Sequence, residues 1–185
     1  MQEEYRVCLT TVREVNPHTN AERLEVCTVY GFQVITQKGK YKVGDMAIYI
    51  PIDSILPSWL ETRIFPEDSK VKLHHHRVRQ IKLRGLASQG MLIDPAELAD
   101  RIPKPKLEQD IKDKLEINKY EPPAPQFAQT VGGAKQKVRR QEHPLFHKYN
   151  GLNNIKWFPD LFKEGGAVVV QEKLHGTNAR AAIQS

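Results

Sequence analysis

The stretch VVVQEKLHGTNAR, over residues 168–180 of the 185-residue chain, joins an apolar run to a lysine and a glycine turn. Valine triplets favour β-strands because branched side chains fit a pleated surface. Side chains alternate across a strand, so Lys173 shares a face with Val169 and Gln171. Burying an ammonium group lowers its pKa, and a lysine shifted in this way is a nucleophile near neutral pH.

The residues around the turn suit a substrate that carries phosphate. Gly176 lets the backbone approach a ligand closely, and Thr177 and Asn178 offer hydroxyl and amide groups. Arg180 adds a fixed charge, and His175 is placed to contact a phosphate or to tune the lysine. Together they predict attack on a phosphoryl group with nearby cations that neutralise the developing charge. The alternative is an ordinary strand whose terminal lysine points into water, because K-x-x-G alone is a weak signal.

Residues 172–180, EKLHGTNAR, closely resemble nucleotidyltransferase motif I of the ATP-dependent RNA ligases, which share a superfamily with DNA ligases and mRNA capping enzymes. The general pattern is K-x-D-G or K-x-x-G, whereas E-K-[LI]-H-G-T-N is much more particular to RNA ligases. The upstream stretches NAERLEVCTV, GDMAIYIPIDSILP and IKLRGLASQGMLI resemble the N-terminal OB-type domain of one RNA ligase group. INKYEPP resembles the end of that module.

This resemblance implies a role for each motif position. Lys173 would attack the α-phosphate of ATP to form lysyl-AMP; AMP would pass to an RNA 5′-phosphate, and a 3′-hydroxyl would displace it. Glu172 would lie beside the adenine pocket, and Mg²⁺ or Mn²⁺ would bridge the phosphates. The remaining nucleotide-binding positions would be Leu174, His175, Gly176, Asn178 and Arg180. We assign no metal ligand within the chain, and the expected partners are RNA ends.

The family places further motifs downstream of motif I: a ribose-binding carboxylate, an aromatic residue that stacks on adenine, metal-binding acids and late lysines. They would belong to a missing C-terminal part of the catalytic domain, beyond Ser185. The 185-residue chain alone is therefore expected neither to ligate RNA nor to take up AMP.

The elements that must position the motif fall into three predicted regions of a mainly β chain. Residues 1–98 predict an OB-like β-barrel, because short strands alternate with Gly and Pro punctuation. Residues 99–144 predict a linker rich in Pro, Gly and basic residues, with a short helix at Leu107–Leu115. Residues 145–185 predict the first strands of an α+β nucleotidyltransferase domain.

Two local signals within the first region can be compared directly with the structure. The stretch NPHTNAERLE, residues 16–25, carries the Asn16-Pro17 turn signal and predicts a short loop or helical turn. The pair Gly44-Asp45 indicates a turn before an apolar strand at Met46–Ile50. Cys8 and Cys27 lie in apolar, strand-like runs, which predicts two small buried side chains rather than a disulfide or a metal pair.

A basic stretch in the predicted barrel is a second candidate site. Residues 70–85, KVKLHHHRVRQIKLRG, contain no acid. OB barrels bind single strands through phosphate charges and stacked bases, and partial alternation places several cations on one sheet face. The candidate RNA-binding residues are Lys70, Lys72, Arg77, Arg79, Lys82 and Arg84. The alternative is a solvated charged face.

Aromatic and histidine side chains near this stretch have simpler interpretations. Tyr49, Phe32 and Trp59 are candidate stacking residues, but filling the barrel is the favoured interpretation. His74 and His76 would share a face if the stretch is a strand, yet no third ligand for a metal is evident, so an exposed loop is the favoured interpretation.

Charge and composition constrain the function without deciding it. The chain has 28 Lys and Arg against 22 Asp and Glu, a net charge of +6, which favours polyanion partners. Its acidic, polar start predicts no signal peptide, and no apolar run reaches the ~20 residues that a membrane span needs, so a cytoplasmic location is expected. Two other functions stay open: a non-enzymatic OB module that binds RNA, or a tRNA-binding accessory domain, because NAERLEVCTV also resembles tRNA-binding OB modules of the synthetase type.

Overall fold

A computed structural model of the chain describes residues 5–66, 69, 72–122, 127–131, 134–138 and 153–170. The described part divides into two compact units. The larger, called the barrel unit below, consists of Glu3–Glu121 together with Leu152–Pro159. The second unit contains a two-stranded antiparallel hairpin whose strands are β11 (Phe127–Val131) and β12 (Ala134–Val138).

Two antiparallel three-stranded sheets form most of the barrel unit. One has the order β2-β3-β4, from Glu14–Pro17, Leu24–Val29 and Phe32–Gln37. The other has the order β1-β5-β9, from Cys8–Thr11, Met46–Ile50 and Met91–Ile93. The predicted strand at Met46–Ile50 is confirmed, and β3 and β4 flank Gly31 as their β-branched runs predict.

The shorter elements complete the unit. Strand β6 (Ser54–Ile55) pairs with β10 (Asn118–Lys119), and β7 (Ile81–Leu83) pairs with β8 (Leu86–Ser88). The α-helix α1 spans Ser58–Ile64. Among the described residues, no helix has the length and apolar character needed to cross a membrane.

The loop or turn predicted within residues 16–25 is present, but it begins after Asn16-Pro17. Both residues lie in β2, where Asn16 pairs with Val26 and Pro17 with Glu25. Strand β2 is at the edge of its sheet, and a proline is tolerated there because its missing N–H costs no ladder hydrogen bond. The turn follows the proline instead.

The first of two hydrophobic clusters extends the barrel unit beyond the predicted boundary at residue 98. It joins β1, β5 and α1 to four isoleucine and leucine side chains that are at most 3% exposed: Ile102, Ile111, Leu115 and Ile117. The predicted linker segment thus contributes to the core as far as Ile117 and belongs to the barrel unit as far as Glu121. The prediction missed this because these apolar residues are scattered among prolines and charges, without a strand or helix period.

The predicted helix at Leu107–Leu115 is also wrong, because turns and isolated bridges occupy this stretch. Leu107 bridges to Leu9 and Asp110 to Cys8. The Asp110 carboxylate accepts hydrogen bonds from the backbone N–H groups of Val7 and Lys112. Tying the segment to β1 in this way competes with helix formation.

The second cluster is aromatic and contains both cysteines. Phe32, Tyr49, Cys8 and Cys27 are at most 6% exposed, which confirms that Phe32 and Tyr49 fill the core and that the cysteines are buried and unpaired. Burial raises the pKa of the Cys8 thiol to about 11, so it is protonated at neutral pH. Its sulfur lies 3.0 Å from the Tyr30 hydroxyl, which donates to Glu108 at 2.6 Å.

Among the described glycines, Gly90 has the closest neighbours. Its φ is +113°, and a Cβ there would lie 2.6 Å from the Ile50 carbonyl oxygen and 2.7 Å from the Tyr49 ring. We expect Gly90→Ala to lower the free energy of unfolding by at least about 2 kcal/mol, because strain and overlap add. Urea unfolding checks this, with Gly39→Ala as the control: Gly39 also has a positive φ (+77°) but open space around it. Equal losses in both variants would show that the overlap at Gly90 costs nothing.

Candidate nucleic-acid interface

The motif I residues lie outside the described residues. This holds for Lys173 and for the six predicted nucleotide-binding positions around it: Glu172, Leu174, His175, Gly176, Asn178 and Arg180. Lys70 of the basic stretch lies outside them as well. The site that the structure describes is therefore the basic stretch and the groove beside it.

The groove is a half-open cavity of about 550 Å³ in the barrel unit. One side is formed by β3, β4, β8 and β9, and the other by the end of α1 and residues 72–83. Its walls are mainly apolar, with Ile35, Ile81, Leu83 and Met91 among them. Phe65, the residue that follows α1, also lines it. We call this cavity the barrel groove.

The basic stretch places three of its candidate cations on the barrel groove, namely Lys72, Arg77 and Arg79. Lys82 lies on β7 between Ile81 and Leu83, which both line the groove, so alternation directs Lys82 to the other face. Arg84 is in the turn between β7 and β8, with a φ of +48°. The candidate cations therefore do not all share one face.

Arg77 differs from the other candidates because it is already engaged. Its guanidinium donates from Nε to the Asp53 carboxylate at 3.0 Å and lies 3.6 Å from the centre of the Tyr120 ring. The side chain is 22% exposed. These contacts link the basic stretch to β6 and β10, so Arg77 holds the wall of the groove in place.

The other described cations are more available to a ligand. Lys72, Arg79, Lys82 and Arg84 are exposed, and among the described residues none of them has an ion pair. Lys40, which the sequence did not single out, also lines the groove but pairs with Glu97 at 3.3 Å.

The three histidines form an exposed 3₁₀ turn, in agreement with the predicted exposed loop, and the strand that would place His74 and His76 on one face is not formed. His75 and His76 have φ values of +54° and +56°. The His76 ring Nδ1 contacts the Glu61 carboxylate, and His74 lines the barrel groove. Within the described ranges, no group of three or more His, Cys, Asp and Glu side chains could hold a metal ion.

Sequence reasoning missed Phe65 and Ile35 as parts of the groove. Phe65 lies outside the basic stretch, and its position beside β4 depends on where α1 packs. Ile35 falls in a strand whose alternation is imperfect, with Val34 buried and Ile35 half-buried. The only sequence signal was the basic stretch itself, which forms one wall.

Comparison with known proteins identifies the domain. A family model described as an OB-fold domain matches residues 6–95. A variant of the Naegleria gruberi RNA ligase solved with ATP and Mn is 29% identical, with a TM-score of 0.55. The match covers 65% of this chain and 36% of the ligase chain. A second variant with ATP and Mn is 30% identical, with a TM-score of 0.54, and the match covers 63% of this chain and 36% of the ligase chain. Residues 6–95 therefore match an OB-fold domain, and the chain is similar to solved RNA ligases over about a third of their length.

The RNA ligase match extends beyond the barrel at lower identity. The Naegleria gruberi RNA ligase with PPi covers 87% of this chain at 24% identity and a TM-score of 0.61, which shows a shared fold. The chain spans less than half the length of these solved ligases, between 36% and 45%. No curated protein sequence matches it significantly.

Proposed function

We propose that the chain is the N-terminal part of an ATP-dependent RNA ligase that joins 5′-phosphate and 3′-hydroxyl ends through a lysyl-AMP intermediate on Lys173. The observation that carries this proposal is the match of its OB-fold part to an RNA ligase solved with ATP and Mn. The E-K-L-H-G-T-N run at residues 172–178 supports it independently.

The proposed reaction has three displacements at phosphorus. The Lys173 amine, having lost its proton, attacks the α-phosphorus of ATP; a P–N bond forms and the bond to pyrophosphate breaks. An oxygen of the RNA 5′-phosphate then attacks the same phosphorus, breaks the P–N bond and leaves AMP on the RNA end. Finally the 3′-hydroxyl attacks the RNA phosphorus and AMP departs. Cations around each phosphate stabilise the charge that develops.

A divalent metal ion is proposed to enter with ATP and to neutralise phosphate charge. The Naegleria gruberi ligase variants solved with ATP and Mn support this requirement. The described residues offer no cluster of three or more His, Cys, Asp and Glu that fits a metal ion, so we assign no metal ligand in them.

The proposed role of the barrel unit is to bind the RNA strand whose ends are joined. Exposed Lys72, Arg79, Lys82 and Arg84 provide phosphate contacts, which contribute most of the affinity of such proteins for nucleic acid. The net charge of +6 favours the same class of partner.

Charge reversal tests this role. We expect the triple variant Arg79→Glu, Lys82→Glu, Arg84→Glu to bind a single-stranded RNA 20-mer on the order of 100-fold more weakly, because three phosphate contacts become repulsions. Its log–log dependence of affinity on salt should also be shallower. Fluorescence anisotropy at several salt concentrations measures both. Arg77 is left unchanged because its loss would release Asp53 and Tyr120.

The control variant reverses three exposed lysines of another segment: Lys104, Lys106 and Lys114. It has the same net charge as the test variant but keeps the basic stretch, and it should retain most of the affinity. Equal losses in the two triple variants would show that binding follows net charge and that the basic stretch is not an RNA site.

The ligase assignment is tested by following the α-phosphate. A polypeptide that extends this chain to the length of the matched ligases is incubated with α-³²P-labelled ATP and a divalent metal ion. Label should appear on the protein and then on 5′-phosphorylated RNA. RNA binding without label on the protein would favour the non-enzymatic OB module.

A further inference from the structure

The barrel groove has a chemistry that phosphate binding alone does not explain. Ile81 lines the groove and is 47% exposed, and Ile35, Met91 and Phe65 are only half-buried. An apolar cavity of about 550 Å³ falls in the size range of small-molecule sites, about 300–1,000 Å³. Leaving such walls open to water is unfavourable unless a ligand covers them.

The rim of the groove selects for a negatively charged ligand. None of the described residues that line it is Asp or Glu. Lys40 and Arg77 are already paired with carboxylates, whereas Lys72 and Arg79 are exposed at the rim. A ligand that fits must therefore combine a flat or apolar body with at least one anionic group beside it.

The groove also offers a stacking surface and an amide. The backbone N–H of Phe65 donates to the Glu61 carbonyl at 2.7 Å, which fixes the residue at the end of α1. Exposed Gln37 at the rim can both donate to and accept from the edge of a base. Aromatic stacking with polar recognition of the edge is how proteins hold unstacked bases of RNA.

We infer that the barrel groove holds one unpaired nucleobase of the bound RNA, stacked on Phe65 and packed against Ile81, with the adjoining phosphates on Lys72 and Arg79. This inference rests on the proposed function of the barrel unit. A base within a duplex has both faces covered and its pairing edge occupied, so the groove accepts a base from a single strand, an overhang or a strand end.

The experiment compares Phe65→Ala with a matched control in the full chain. The control is Val43→Ala, which truncates a 65% exposed apolar side chain that does not line the groove. The probes are a single-stranded RNA 10-mer with one central 2-aminopurine, the same strand paired to its complement, and the same strand with an abasic residue at the centre. Circular dichroism and the melting midpoint verify that each variant folds. If Phe65→Ala does not fold, Ile81→Ala replaces it in the experiment.

For the single-stranded probe we expect Phe65→Ala to weaken binding about ten-fold and Val43→Ala to leave it unchanged. The slope of affinity against salt should stay at the wild-type value in Phe65→Ala and fall by about one in Arg79→Ala. The 2-aminopurine emission should change on binding to wild-type protein and much less on binding to Phe65→Ala.

The abasic strand distinguishes a base in the groove from an indirect effect. If the groove holds a base, the abasic strand loses affinity for wild-type protein, and Phe65→Ala adds no further loss. Wild-type affinity in Phe65→Ala, or an equal loss on intact and abasic strands, would overturn the inference while leaving RNA binding in place. Failure of every probe to bind wild-type protein would instead remove the RNA-binding role itself.

A glutamate decamer tests the competing ligand class, an acidic peptide. We expect any binding of the decamer to be insensitive to Phe65→Ala, since the decamer has no ring to stack. The same ten-fold dependence on Phe65 for decamer and RNA would show that the groove recognises no base.

Discussion

Replacing Lys173 by alanine is expected to abolish covalent labelling by α-³²P-labelled ATP in the polypeptide extended to the length of the matched ligases. No other group in the EKLHGTN run can form the same stable lysyl phosphoramidate, so the residual signal should fall to background. Lys173→Arg should be equally inactive, because a guanidinium keeps the charge but is not deprotonated in proteins. Gel autoradiography and mass spectrometry of the labelled peptide measure the adduct.

The control for this experiment is Lys163→Ala. Lys163 is an exposed lysine ten positions upstream that pairs with Asp160, and its loss should leave labelling intact. Full labelling of the Lys173→Ala polypeptide would remove the lysyl-AMP mechanism and leave only an OB-fold RNA-binding unit. Loss of labelling in both variants would show that the signal does not report on one nucleophile.

The strands of the barrel unit were predictable where a local period was strong. Strands β3, β4 and β5 combine β-branched residues with glycine turns, and each forms where the pattern indicates. The OB-type fold itself was recognisable through the resemblance of these stretches to RNA ligases, which the structural matches support.

What the sequence did not predict depends on contacts between distant residues. Ile102, Ile111 and Leu115 complete the first core cluster from a segment that has the composition of a linker. Hydrogen bonds to the start of the chain hold this segment, among them one from the Val7 backbone to the Asp110 carboxylate, more than 100 positions away. No window of local sequence contains both partners, so a composition argument places the domain boundary too early.

The candidate site was likewise predictable from the sequence only in part. The basic stretch was visible as a run of charges, but the partner of each charge was not. Arg77 is bound to Asp53 and Tyr120, whereas Arg79 two residues later is exposed. The other side of the groove comes from β3, β4, β8 and β9, so the cavity exists only once these strands and the basic stretch pack together.

A second large effect, on stability, is expected from a substitution in Leu152–Pro159, the segment that follows the hairpin in sequence and belongs to the barrel unit. Trp157 is 8% exposed and inserts into the aromatic cluster, with ring centroids 4.8 Å from Tyr30, 5.0 Å from Phe32 and 5.6 Å from Tyr49. The 3₁₀ turn that holds it, Ile155–Trp157, is capped by the Asn154 side chain. The barrel unit therefore includes a piece of sequence that we predicted to belong to the catalytic domain, residues 145–185.

Trp157→Ala should lower the free energy of unfolding of the barrel unit by about 3–5 kcal/mol, because it leaves a cavity among three aromatic rings. Phe158→Ala is the matched control: its side chain is adjacent but 37% exposed, and its loss should cost less than about 1 kcal/mol. Urea unfolding followed by circular dichroism measures both, with tyrosine fluorescence as a second probe. Similar losses in the two variants would show that Trp157 does not anchor the segment.

Gly31→Ala tests the same contact between the Trp157 segment and the strands, because Gly31 lies against Lys156. The Gly31 N–H donates to the Lys156 carbonyl at 2.7 Å, and a Cβ on residue 31 would lie 3.0 Å from the Lys156 backbone. The substitution should push the segment outward and remove part of the stability that Trp157 provides. In the double variant with Trp157→Ala, the two losses should therefore be less than additive, since both act on one contact. Fully additive losses would mean that the glycine and the tryptophan stabilise the barrel unit independently, and that the return of this segment is not one docking event.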